Sequence, residues 1–197
     1  APGFFKYQEH SVAAHSFKVA EIAQMLGDVE ELAGNKVNWQ MLYEKSLNHD
    51  YTERFIGDIK TPVKYATPTL RHMLADVEAT MTENFIKNEI PRDFQDRYRR
   101  RLSEGKDETL EGQILSVADK IDLLYEGFGE IEKGNPEQVF LDIYSESLST
   151  ILQFRNRPSV RYFLEEVLPD MLDEKFASRD QLAKLTKETM AEHEPNK

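Results

Sequence analysis

Apolar residues in this chain recur every three or four positions between well-spaced Pro and Gly breakers, and nowhere do they alternate as a half-buried strand requires. The stripe Leu70, Leu74, Val77, Met81 and Phe85 predicts a helix from about Pro68 through Ile86 with those residues in the core. His15, Val19, Ile22 or Ala23, and Leu26 predict another from Ala13, with Gly27 as its stop. Asn38 is placed to cap a helix that starts at Trp39 and carries Leu42, Ser46, His49 and Glu53. Pro91 introduces a short charged helix up to Leu102, and Ile114, Val117 or Ala118, Ile121 and Tyr125 mark one from about Glu108 to Phe128. Asn135 as cap and Pro136 in the first helical position open a helix to about Phe154. Ser178 with Gln181 forms a capping box for a last helix ending near Met190. The expectation is an all-α helical bundle of roughly seven to nine helices.

A length of 197 residues with 40% hydrophobic composition suffices for one sizeable core, so a single domain is expected over residues 1–197. Its chemistry lies within about 1–128, and a helical extension covers about 135–194. No apolar run approaches the roughly 20 residues that span a bilayer, and no signal peptide is recognisable, so the expected location is cytoplasmic. The chain begins at Ala1 without a methionine, and further residues are expected upstream. Lys plus Arg total 25 against 36 Asp plus Glu, a net charge of −11, which disfavours nucleic acid and anionic membrane as partners. Arg92, Arg97, Arg99, Arg100 and Arg101 cluster, but Asp93, Asp96 and Glu104 bracket them, the pattern of a solvated helix face or a subunit contact.

With no cysteine, any metal must be held by imidazole and carboxylate, a donor set that suits Mn, Co, Ni, Zn or Fe. The adjacent pair His49-Asp50 is the natural centre of such a site. On a helix the two side chains diverge by about 100°, so one ion reaches both only in the crevice beside that helix, and other helices must complete the set. Glu53, four residues after His49, would rise over the same face, where a base is needed. His15 sits near the start of its helix on the buried face. Asp119 lies beside an apolar stripe, where a lone buried carboxylate is costly unless it pairs with a cation. Asp122 is either its neighbour in the site or exposed. Two imidazoles and two carboxylates from His15, His49, Asp50 and Asp119 would bind one divalent ion and leave positions open for water and a phosphate oxygen.

This order, His then His-Asp then a distant Asp, resembles the HD-domain superfamily of metal-dependent phosphohydrolases. His15-Ser16-Phe17-Lys18-Val19-Ala20 looks like its first metal-binding helix, and Ala118-Asp119-Lys120-Ile121 like its last metal-binding segment. His49-Asp50-Tyr51-Thr52-Glu53, Gly57-Asp58 and Thr61-Pro62-Val63-Lys64-Tyr65 closely resemble the YfbR-like 5′-deoxynucleotidase branch. The resemblance runs from about Pro2 to Phe128. It implies an HD-domain fold, a homodimer, and release of phosphate from a (deoxy)nucleoside 5′-monophosphate by metal-activated water. It implies His15, His49, Asp50 and Asp119 as metal ligands, Glu53 as the acid or base, and Asp58 close to the phosphate. Lys6 and Lys64 are the nearest candidate cations for that phosphate. Ala14 stands where members commonly carry an acid, and Ala1 stands in the place of a Trp that helps select the sugar, so sugar preference is not carried over. Two rival readings keep the site. One is hydrolysis of nucleoside triphosphates or alarmone-type pyrophosphates, although alarmone hydrolases usually carry Glu-Asp after His-Asp and here Arg54 follows Glu53. The other is a nucleotide sensor without turnover, for which Glu53 and Asp58 would serve no purpose.

Overall fold

The computed structural model describes residues 5–7, 11–56, 67–102, 105–173 and 179–193, without the side chains of Arg54, Ile56 and Arg179. Every regular element among the described residues is helical, as the spacing predicts. Helix α1 (Val12–Leu32) opens on Ser11, whose hydroxyl accepts from the Ala14 amide at 3.1 Å. It does not stop at Gly27. That glycine is buried inside the helix because a Cβ there would lie 2.8 Å from the indole ring of Trp39, so it admits a neighbour instead of ending a turn. The stop is Gly34, with φ +90, a conformation that favours glycine.

Asn38 caps α2 (Trp39–Asn48) as expected, accepting from the Met41 amide at 3.1 Å. The helix ends at Asn48, and the short α3 (Glu53–Ile56) follows a turn, so His49 and Glu53 do not share one continuous helix. After residue 67 come α4 (Pro68–Glu89), with Thr67 as cap and Pro68 in its first turn, and α5 (Arg92–Arg101). The stripe assigned to the core on α4 is only partly covered. Val77 is 46% and Met81 36% exposed, and Ile86 is the one fully buried apolar side chain of that helix.

Helix α6 (Leu110–Glu132) is the axis of the molecule, with α1, α2 and α7 (Gln138–Leu152) packed around it. At the α6/α7 crossing a Cβ on Gly127 would lie 2.9 Å from the Phe140 carbonyl oxygen, so the two backbones approach this closely only because residue 127 has no side chain. Asn135 is not the residue that caps α7, whose N-cap position is Glu137. It braces the preceding turn, accepting from the Glu137 amide at 3.1 Å and donating to Glu130 at 2.7 Å. Residues 158–173 form one further helix, α8, with a π turn at Phe163–Val167, and α9 (Arg179–Glu192) closes the described chain. One apolar cluster joins Val19, Leu42, Ile121, Phe140, Phe163 and Leu182. The metal-motif helices and those after residue 138 are therefore built on the same core. Among the described residues no helix is long and apolar enough to cross a membrane.

Candidate metal centre

His15 stands in the first full turn of α1, its own amide bonded to the Ser11 carbonyl, so the helix start fixes where its ring is presented. His49 is the residue that closes α2. From there the backbone turns tightly, with the Tyr51 amide on the Asn48 carbonyl and the Glu53 amide on the Asp50 carbonyl. This turn solves the problem posed by adjacent ligands on a helix. Asp50 is swung out of helical register, so its carboxylate reaches the ring it follows in sequence. Asp119 comes from the middle of α6, one face of which is buried along most of its length.

The four groups converge. The Nε2 atoms of His15 and His49 are 3.1 Å apart, and Asp50 Oδ2 is 3.2 Å from each. Asp119 Oδ1 is 3.2 Å from His15 Nε2 and 3.7 Å from His49 Nε2. One donor atom from each residue lies within 4.8 Å of all the others. Ligands about 2.1 Å from a common ion at right or tetrahedral angles stand roughly 3.0–3.4 Å apart, so the separations around His15 fit a shared cation.

The backs of both imidazoles are occupied. His49 Nδ1–H donates to the Ser46 carbonyl at 2.8 Å, and a carbonyl can only accept, so once the ring is neutral its lone pair is on Nε2, facing the cluster. His15 Nδ1–H donates to Asp122 Oδ2 at 2.7 Å with the same result. Asp122 is thus not exposed. It is buried behind the ring and orients it, a role that sets ligand basicity as well as position. Asp119 is held likewise, its Oδ2 accepting from Lys106 at 2.8 Å with Lys120 at 3.4 Å, which leaves Oδ1 to the cluster.

The electrostatics of the metal-free cluster follow. Burial opposes charge on His15, but Asp119, Asp122 and Asp50 outweigh it and push its pKa up to about 11. His49 is pushed up to about 9 by Asp119 and Asp50, again against burial. Burial disfavours the ionised forms of Asp50 and Asp119, yet the two imidazoles hold both carboxyls well below the usual range. A site that draws protons onto its nitrogens in this way presents to a divalent ion the same attraction.

A cavity of about 650 Å³ opens beside the cluster, lined among others by His49, Asp50, Glu53, Arg71, Glu78, Arg99 and Lys106. Its size is that of an ordinary small-ligand site. Thr52 donates to Glu78, tying the turn after Asp50 to α4. Arg99 forms a two-pronged pair with Glu83 at 2.9 and 3.0 Å, tying α5 to α4. Of the other residues singled out in the sequence, Lys6 lies 2.5 Å from Glu126, while Asp58 and Lys64 fall outside the described residues. Lys106 was not foreseen. The one available signal was that a buried Asp119 requires a cation.

Comparison with known proteins agrees with this geometry. The model of the YfbR-like 5′-deoxynucleotidase family matches residues 1–171. A 5′-deoxynucleotidase of Vibrio parahaemolyticus is 29% identical over 160 residues, 81% of this chain and 80% of that protein. The crystal structure of an HD-domain phosphohydrolase from Listeria innocua superposes with a TM-score of 0.91 at 63% identity, covering 97% of this chain and 90% of the other. A conserved hypothetical protein from Pyrococcus furiosus shares the fold, with a TM-score of 0.59 at 21% identity and 84% of each chain covered. The chain belongs to the YfbR-like 5′-deoxynucleotidase family, within the HD-domain metal-dependent phosphohydrolases.

Proposed function

We propose that His15, His49, Asp50 and Asp119 hold one divalent transition metal and that the protein removes the phosphate of (deoxy)nucleoside 5′-monophosphates in the cavity beside it. The observation that carries this reading is the aim of the two imidazoles. Each Nδ1–H is committed to an acceptor on the far side, so two lone pairs and two carboxylate oxygens face one point. A divalent ion there supplies Lewis acidity toward a phosphoryl oxygen and acidifies a water. Glu53, on the cavity wall at the start of α3, takes the proton from the attacking water and returns one to the leaving 5′-oxygen. Lys106 neutralises Asp119 and presents positive charge at the cavity edge, where the phosphate enters. By family resemblance Asp58 acts close to the phosphate, and Lys6 and Lys64 are the candidate cations for it.

The protein is further read as one HD domain in which the helices after residue 138 back the metal-bearing α6, acting as a cytoplasmic homodimer. Met73, Val77 and Met81, at i, i+4 and i+8 on α4 and 60, 46 and 36% exposed, support the dimer, since they form an apolar stripe of the kind subunits cover. The activity is tested by stripping the metal and restoring Mn, Co, Ni, Zn or Fe separately against mono-, di- and triphosphates of ribo- and deoxynucleosides. Metal-dependent phosphate release from monophosphates is expected. Release confined to triphosphates or nucleotide pyrophosphates would move the protein to another branch of the superfamily.

A further inference from the structure

Asp50 and Glu53 stand at the two ends of one tight turn, closed by the Glu53 amide on the Asp50 carbonyl at 3.1 Å. That turn also rests on α4. The Phe85 ring meets those of Tyr51 and Phe55, with centroids 5.9 and 5.2 Å away. About two helical turns earlier, at i against i+7 and so on the same face of α4, the Glu78 carboxylate accepts from the hydroxyl of Thr52. Thr52 is buried, so its hydroxyl needs a partner within the protein, and Glu78 supplies it from the wall of the cavity that Glu53 also lines.

The two contacts constrain the turn differently. Ring packing is attractive over a range of offsets, so it keeps the turn on α4 without fixing its place along the helix. A hydroxyl-to-carboxylate bond is directional and charge-assisted, and it selects one position. Thr52 directly precedes Glu53, and its carbonyl accepts the Phe55 amide at 3.0 Å, so it belongs to the backbone on which α3 starts. Fixing the Thr52 side chain therefore fixes the point from which the Glu53 side chain departs.

We propose that Glu78 is a positioning residue, which acts through the Thr52 hydroxyl to hold the Glu53 carboxylate at the attacking water. The inference rests on the reading of Glu53 as the proton-transfer group in phosphate release. It is tested with metal-loaded protein on the nucleotide that the wild type hydrolyses fastest. Thr52→Val keeps the shape of the side chain and removes the donor, and Glu78→Ala removes the acceptor. Each should lower kcat roughly 10- to 100-fold with KM and metal content unchanged, and the double variant should fall no further than either one. Thr52→Ser and Glu78→Gln retain a donor and an acceptor, and should recover most of the rate. In a Glu53→Gln background neither Thr52→Val nor Glu78→Ala should slow the residual reaction, because the group that they place has already gone. Wild-type kcat in Thr52→Val or Glu78→Ala, losses that add in the double variant, or the same losses in the Glu53→Gln background would overturn the proposal. So would a KM raised by Glu78→Ala alone, because Glu78 would then touch the substrate itself, or metal lost from either variant, because the bond would then serve Asp50. A wild type that releases phosphate from no nucleotide would overturn the reading of the site and this inference with it, an outcome distinct from the others because no variant is needed to see it.

Discussion

The corner formed by α1, α2 and α6 and the wall formed by α4 and α5 are equally regular helices held by opposite means. In the corner, Val19, Leu26, Leu42, Leu115 and Ile121 are essentially inaccessible, and His15, His49 and Asp119 are each fixed by a partner behind them. In the wall the apolar stripe is half exposed, and the ties to the corner combine polar pairs, Thr52 to Glu78 and Arg101 to Glu44, with ring contacts of Phe85 against Tyr51 and Phe55. The corner is built to hold donor atoms within tenths of an ångström, as catalysis on a metal requires, and the wall to present a cavity surface. Two helical stripes of similar quality in sequence thus serve different ends, because one has three neighbours to bury against and the other has few.

Breaking the corner should have the largest effects. Asp50→Ala and His49→Ala should each lower metal-dependent phosphate release at least 1000-fold and abolish metal binding, as measured by metal content after gel filtration. Glu53→Gln should retain metal while turnover falls about 100- to 10,000-fold, the range expected for loss of a proton-transfer group. Equal metal loss in both variants would refute the division of labour between ligand and base. Asp122→Asn leaves all four ligands in place and should weaken metal binding by roughly 10- to 100-fold, read by chelator competition.

The same contrast should appear in stability. Leu42→Ala, in the corner, should cost about 2–5 kcal/mol in denaturant unfolding, while Val77→Ala on the wall should stay within about 0.5 kcal/mol for the monomer. If the wall is a subunit face, Val77→Asp with Met81→Asp should instead shift the mass in light scattering from dimer to monomer. The contrast extends to pH dependence. With His15 and His49 raised to about 11 and 9, their protonation stabilises the metal-free fold fully below about pH 6.5 and is lost as pH rises through about 9 and then 11. Bound metal reverses the sign, since protons compete for both Nε2 atoms. Thermal midpoints should fall with pH between 6.5 and 9 without metal, and the increment added by metal should grow over the same range.

Much of the corner was legible in the sequence, because its signals are local. Asn38 caps where its type and position say it should, and His15 and Asp119 sit on stripes whose period places them inside. What the sequence did not carry depends on tertiary approach. Gly27 looks like a stop until Trp39 is brought against it. The turn after His49 carries no Gly or Pro, so a continuous helix through Glu53 was the natural expectation, whereas the helix ends where Asp50 converges with His15, His49 and Asp119. Lys106, 13 residues before Asp119, reaches it only because the chain folds back at the start of α6.

The central claim is that one metal held in the α1, α2 and α6 corner is required for phosphate release. Its most direct test is a cobalt titration of the metal-stripped protein, following visible absorption and phosphate release from a deoxynucleoside monophosphate in the same sample. The account predicts that both rise together and saturate at one cobalt per chain, and that neither rises in Asp50→Ala. Phosphate release without added metal, or saturation unaffected by Asp50→Ala, would contradict it.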